Sequence, residues 1–343
     1  MADTAPRANL DEMRALLRRL PGPDLEARSM AMMREAQLTK PAGALGRLEE
    51  ISAWMAAWQG KHPPTANHPR SAVFAGNHGV AARGVSAYPA SVTAQMVQNF
   101  IAGGAAVNQL CRAVDADLRV YELALDEPTA DFTQGPALSD EDCALAIAYG
   151  MTAVETGIDL LAVGEMGIAN TTSAAALCCA LFGGRVEDWV GPGTGVAGEG
   201  LARKASVVAE GVALHRAETA EPFELLRRLG GRELAAIVGA VMAARQARVP
   251  VLLDGYAATA AAAVLHAADP HALDHCLVAH RSAEPGHARL LQAIGKDPLI
   301  DLGMRLGEAS GATLAIAIVK AAVVCHTGMA TFAEAGVSGK EIL

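Results

Sequence analysis

Residues 71–79 read SAVFAGNHG, a short apolar run that stops at a glycine-bounded polar loop. A run this brief and this apolar suits a strand buried on both faces. The same grammar returns in residues 118–125 (LRVYELAL), 159–167 (DLLAVGEMG), 249–256 (VPVLLDGY) and 275–282 (HCLVAHRS), with helical stretches between them. Strands alternating with helices predict an α/β fold, a mostly parallel sheet with helices on both faces, whose ligands bind beyond the carboxyl ends of the strands. The unusual polar segments of the chain fall at those ends.

Ahead of the first strand the chain reads as helical. Leu10, Met13, Leu16 and Leu17 recur at helical spacing, as do Leu25, Met32 and Met33, and residues 38–58 read as a loop opening into another helix. Residues 61–70 (KHPPTANHPR) form a proline-rich connector. No internal repeat of fixed period and no low-complexity tract beyond the Ala-rich helices interrupts the pattern.

With 343 residues the chain exceeds the usual size of one domain, so a large domain with a smaller companion is expected. Hydrophobic residues make up 52% and aromatics only 4%, so the core is to be filled by Ala, Val, Leu, Ile and Met. A net charge of −9 removes the electrostatic basis for nucleic-acid binding. No apolar run reaches the roughly 20 residues of a membrane span, and the first residues mix acids and bases with no apolar core, so no membrane partner and a cytoplasmic location are expected. Cys111, Cys143, Cys178, Cys179, Cys276 and Cys325 show no C-x-x-C spacing, which argues for reduced thiols rather than a zinc site or a disulfide framework.

Each strand end carries candidate residues. In residues 75–100, Ser86, Tyr88 and Gln95 can line a pocket for a flat ring, or serve as an ordinary loop contact and a solvated helix position. His78 lies in an Asn-His-Gly turn, where a side chain commonly satisfies backbone groups, and is read as structural. Glu165, Met166 and Gly167 lead into residues 170–181 (NTTSAAALCCAL), whose start offers N–H donors and hydroxyls to a phosphate; Asn170, Thr171 and Thr172 can equally be a helix cap. Residues 190–208 (VGPGTGVAGEGLARKASVV) leave backbone open at Gly191, Gly193, Thr194 and Gly195, with Lys204 in the following helix. The loop lacks the G-K-[ST] ending of an ATP loop and the spacing of a dinucleotide fingerprint, so together with the lysine it points to a single phosphate. Asp254, Tyr256, His280, Arg281 and Ser282 stand at the last two strand ends, where turn chemistry is the competing explanation.

The segment Arg305–Gly311 (RLGEASG) contains Glu308 among small residues. A carboxylate close to backbone with few polar neighbours has a raised pKa and suits proton abstraction. The competing reading makes Glu308 a first-turn acid complementing a helix dipole. The other glycine-rich strand ends favour the general base.

These segments carry a resemblance. Residues 40–49 (KPAGALGRLE), 75–80 (AGNHGV), 84–89 (GVSAYP), 92–97 (VTAQMV), 164–172 (GEMGIANTT), 191–196 (GPGTGV), 254–262 (DGYAATAAA), 280–287 (HRSAEPGH) and 305–312 (RLGEASGA) resemble those of nicotinate-nucleotide:dimethylbenzimidazole phosphoribosyltransferases, which act in assembling the lower ligand of cobalamin. The match runs in order from about Lys40 to near the C-terminus. It implies a Rossmann-like large domain over residues 61–300, a small helical domain built from residues 1–60 and 301–343, and a homodimer. It implies transfer of the phosphoribosyl group of nicotinate mononucleotide to 5,6-dimethylbenzimidazole, giving alpha-ribazole 5'-phosphate and nicotinate.

By the same resemblance Glu308 is the general base, and Ser86, Tyr88, Gln95, Met166 and Leu306 surround the acceptor base. Glu165, Gly167, Gly193, Thr194, Lys204 and Ser282 hold the phosphoribosyl group, with Glu165 on the ribose or the acceptor ring because a carboxylate beside a phosphate is repulsive. Going from a β-nucleotide to an α-riboside inverts C1', which predicts one in-line displacement with no covalent intermediate. The leaving pyridinium becomes neutral as its bond breaks, so one carboxylate suffices where a glycosidase needs two. No cofactor and no metal are expected. The competing functions are a related transferase loading adenine or a phenol, and a non-catalytic nucleotide-binding protein. A dehydrogenase is disfavoured because no G-x-G-x-x-G follows the first strand.

Overall fold

The structure is a computed structural model and describes residues 8–339. It opens with helices α1 (Leu10–Leu17), α2 (Leu25–Glu35) and α3 (Arg47–Gln59), the first two capped by the side chains of Asn9 and Asp24. Then come β1 (Pro69–Ala75), α4 (Ser91–Ala102), α5 (Ala106–Val114), β2 (Asp117–Glu122), α6 (Asp140–Met151) and β3 (Leu160–Met166). The chain continues with α7 (Asn170–Phe182), α8 (Glu199–Arg216), α9 (Pro222–Leu229), α10 (Arg232–Gln246), β4 (Val251–Leu253), α11 (Tyr256–Ala268) and β5 (Cys276–Val278). It closes with α12 (Pro285–Ala293), α13 (Ser310–Gly328) and α14 (Phe332–Ala335).

The strands form one five-stranded sheet in the order β2-β1-β3-β4-β5, with every neighbouring pair parallel. The expected α/β class and each expected strand are present. β1, the strand of the SAVFAGNHG segment, is buried along its whole length and pairs with β2 on one side and β3 on the other. Along β3 the faces alternate, as the two-residue period of a strand requires. Leu161 and Val163 join the layer that holds α6, α7, α10 and α11, whereas Leu160 and Ala162 meet α3 and α13 on the opposite face.

The shortage of aromatics is met by small side chains. α7, α10 and α11 bury long runs of Ala, which let their backbones lie close to the sheet and to one another. α13 has the length and apolar character of a membrane span, which the reading of the sequence did not anticipate, but half of it is buried inside the protein. Its inner side packs on the face of β3 and β4 and against α3.

α2 departs from the pattern read in the sequence. Leu25, Met32 and Met33 are 67%, 55% and 56% exposed, and the buried side of the helix is Ala27 and Ala31. Ala31 packs with Ala53 and Ala56 of α3, so close approach of two helices by their smallest residues turns the bulkier apolar ones outward.

Leu161 lies at the centre of the sheet with no exposed surface. Leu161→Ala is expected to lower the unfolding free energy by about 2–5 kcal/mol, read as a lower denaturant midpoint in urea.

Candidate active site

Residues 307–309 make a turn laid on β3. Gly307, Glu308 and Ala309 all have left-handed backbone, with φ of 84°, 62° and 58°. For Glu308 and Ala309 this conformation costs roughly 1–2 kcal/mol each, so the surroundings must impose it. They do so in two ways. The Glu308 N–H donates to the Glu165 carbonyl at 3.0 Å. Gly164 lets the turn sit against the strand, because a Cβ there would lie 2.1 Å from the Ala309 nitrogen. α13 starts only at Ser310, so Glu308 precedes the helix and is not a first-turn acid.

Next to this turn, beyond the ends of β3, β4 and β5, lies a cavity of about 450 Å³. Tyr88, Met166 and Leu306 contribute its apolar wall, while Thr171, Thr194, Ser282 and Arg305 contribute donors. The loop of Gly193 is held from behind. Its N–H donates to Glu284 at 2.9 Å, and Arg305 donates to its carbonyl at 2.8 Å. Lys204, 1% exposed, donates to Thr171 Oγ1 at 2.8 Å and to the Gly191 carbonyl at 3.0 Å. α7, which carries Thr171, has no side-chain cap: its N-cap residue is Ala169, Asn170 donates to the Glu165 carboxylate, and Lys204 donates to Thr171. A helix start without a side-chain cap, beside a lysine, offers an electrostatic setting that suits an anion.

The ionisable groups are tuned by burial. Glu308, 5% exposed, is pushed up to about 7, first by loss of solvent and then by the charge of Asp254. Glu165 rises well above the carboxylate range through burial, then through Asp254 and Glu233. Burial lowers Lys204 to about 8 against the pull of Glu284, and raises Glu284 against the pull of Lys204. A carboxyl near 7 is poised to accept a proton at neutral pH, whereas an ordinary carboxylate is too weak a base.

Of the residues singled out in the sequence, the cavity gathers Tyr88, Glu165, Met166, Gly167, Asn170, Thr171, Gly193, Thr194, Tyr256, His280, Ser282 and Leu306. Glu308 adjoins it through Gly307, Lys204 through Thr171, and Ser86 through a 3.2 Å contact with the Thr194 hydroxyl. Gln95 lies on the exposed side of α4 and does not line it. His78 is buried away from it, between Ser173 (3.0 Å) and Glu233 (2.6 Å). Arg305 and Glu284 were not singled out. Both lie inside the quoted segments RLGEASGA and HRSAEPGH, so their place was visible, but their partner, Gly193, is far away in sequence.

A phosphoribosyltransferase family model matches residues 20–337. The nicotinate-nucleotide–dimethylbenzimidazole phosphoribosyltransferase of Sinorhizobium medicae is 62% identical over 330 residues, covering 96% of this chain and 97% of that protein. The protein of the same name from Brucella anthropi is 60% identical over 331 residues, covering 96% and 98%. The crystal structure of the corresponding phosphoribosyltransferase from Thermus thermophilus superposes with a TM-score of 0.86 at 41% identity, over 92% of this chain and 100% of that one.

If Gly164 admits the 307–309 turn, Gly164→Ala must displace it. The variant is expected to lose about 1–3 kcal/mol of unfolding free energy, measured in urea, and an unchanged midpoint would contradict the close approach.

Proposed function

The chain belongs to the nicotinate-nucleotide–dimethylbenzimidazole phosphoribosyltransferase family, and from that membership we propose that it moves the phosphoribosyl group of nicotinate mononucleotide onto 5,6-dimethylbenzimidazole. The products are alpha-ribazole 5'-phosphate and nicotinate. The observation that carries the reading is the cavity itself: an apolar wall for a methylated ring and a donor-rich side for a phosphate, with a carboxyl of pKa about 7 beside both.

In this reading the phosphate rests on the start of α7 and the Gly193 loop, with Lys204 as the cation behind them. Met166, Leu306 and Tyr88 receive the flat face of the acceptor, a role suited to a polarizable thioether. Glu308 takes the ring N–H proton as the other ring nitrogen attacks C1' in line, and nicotinate leaves without protonation. Inversion at C1' follows from the single displacement. Holding two rings on opposite faces of one ribose supplies several kcal/mol of the barrier, within the roughly 7–11 kcal/mol that orientation can provide. Glu165 reads best as a ribose ligand, because its raised pKa favours a neutral carboxyl able to share hydrogen bonds with hydroxyls.

The same reading includes a cytoplasmic homodimer with a small domain drawn from both chain ends. Free thiols at all six cysteines support a reducing compartment. Tyr88 and Leu306 leave 54% and 56% of their surface open, and α2 exposes Leu25, Met32 and Met33, which supports burial against a second copy.

The test is nicotinate release from nicotinate mononucleotide with dimethylbenzimidazole, with adenine and with no acceptor. Release is expected to require dimethylbenzimidazole and to fall about 10²–10⁴-fold in Glu308→Ala. Activity only with another acceptor would change the substrate, and no turnover with any acceptor would leave a binding protein. The base works only when ionised, so kcat/KM is expected to drop as the pH falls through about 7. The stability effect has the opposite sense. A carboxyl whose pKa is raised on folding destabilises the protein as pH climbs from its unfolded value towards the folded one. Glu308→Gln is therefore expected to show a higher Tm than the parent at pH 8, with the difference vanishing near pH 4.

A further inference from the structure

Asp254 follows β4 and His280 lies just past β5, and neither has a part in the chemistry described so far. Asp254 has no exposed surface and His280 is 1% exposed. Asp254 Oδ1 accepts the Ala312 N–H, in the first turn of α13, at 2.8 Å. His280 Nε2 stands 3.5 Å from the same oxygen, an ion-pair contact longer than a good hydrogen bond. The imidazole fits only because glycine lines its slot: a Cβ on Gly311 would lie 2.0 Å from His280 Cδ2. Among the described residues, Asp254 Oδ2, both ring nitrogens of His280 and Glu308 Oε2 are buried without a hydrogen-bond partner.

Each such orphan costs about 1–3 kcal/mol, and a fold under no other demand would replace these groups with apolar ones. Their position supplies the demand, since His280 lines the cavity and the charge of Asp254 acts on both Glu308 and Glu165. We propose that Asp254 and His280 act as one positioning dyad for the transfer, the proton they hold setting the charge beside Glu308 and so the readiness of its carboxylate to take the proton of the acceptor. The proposal rests on the reading of Glu308 as the base.

The surroundings suit a dyad that changes charge. Burial opposes the imidazolium, but Asp254 overrides it and raises His280. With His280 charged, the dyad is close to neutral and Glu308 is a weaker base. With His280 neutral, Asp254 stands uncompensated and Glu308 holds its proton more tightly. The other groups facing the dyad are few. His287 of α12, its ring 6.4 Å from that of His280, is driven down to about 3 by burial and by His280, so it stays neutral. Arg281 and Asp301 face each other at 3.7 Å and are both more than half exposed, so solvent screens them. Glu165 on β3 is held towards its neutral form, and Glu233 on α10 is engaged by His78.

The experiment is the pH profile of kcat/KM for nicotinate release with dimethylbenzimidazole, in the parent, Asp254→Asn, His280→Asn and Glu308→Ala. Removing the imidazole leaves Asp254 uncompensated and is expected to shift the acid-limb midpoint up by about one pH unit, whereas Asp254→Asn, in which burial also keeps His280 neutral, is expected to leave it at or below the parental value. A purely structural role would lower both rates and leave both midpoints in place, which overturns the dyad, as would shifts in one common direction. If Glu308→Ala keeps the parental rate and profile, the base reading fails and the dyad falls with it. If Glu308→Ala is inactive while the other midpoints match the parent, the dyad alone fails. Should Asp254→Asn not fold, His280→Asn decides: an upward shift supports the dyad and an unmoved midpoint overturns it.

Discussion

The seating of the 307–309 turn on β3 is the contact on which the site depends. Gly164 removes the side chain that would block it, the Glu165 carbonyl receives the Glu308 N–H, and the left-handed backbone of Glu308 and Ala309 follows. That one approach places Glu308 beside the cavity and fixes where α13 begins. It also brings the Ala312 N–H to Asp254, tying the end of β4 to the same helix start. Strained backbone persists only where the surroundings over-determine it, and here a strand, a hydrogen bond and a buried helix all do so.

The charges of the site are arranged by dielectric more than by pairing. Loss of water is the first cause of the shifts at Glu165, Lys204, Glu284 and Glu308, and each moves towards its neutral form. With these groups moved towards their neutral forms, the site carries less fixed charge than its residue types suggest, and an anion placed beside Lys204 would favour the charged form of that amine. Glu308, with a pKa of about 7, can both take and release a proton near neutral pH. A strong ion pair to Glu308 would lower its pKa and remove its basicity, and none is present among the described residues.

Much of this was legible along the chain because strands and glycine-rich ends leave local marks. The five apolar runs, each closing on a glycine or polar residue, correspond to β1–β5. The segments around Glu165, Gly193, Ser282 and Glu308 meet in one cavity region, as expected of loops at the carboxyl ends of a parallel sheet. Other features left no such mark. Leu25, Met32 and Met33 carry the apolar spacing of a buried helix face yet lie outward, because Ala27 and Ala31 allow the closer approach to α3. Gln95 sits on a helix near the right loop but on its exposed side. Gly164 reads as one more small residue in a strand until the turn that rests on it is known.

By itself, the sequence determined the alternation of strand and helix, the aliphatic core and the segments in which the chemistry resides. Those follow from periodicity, composition and backbone permissiveness, which act over a few neighbouring residues. Only the tertiary structure decided that Arg305 and Glu284 brace the Gly193 loop, that His78 pairs with Glu233 away from the cavity, and that Asp254 raises Glu308. Hydrogen-bond partners, burial and pKa are sums over atoms close in space. In a parallel sheet those atoms arrive from strand ends scores of residues apart, so no local window contains them.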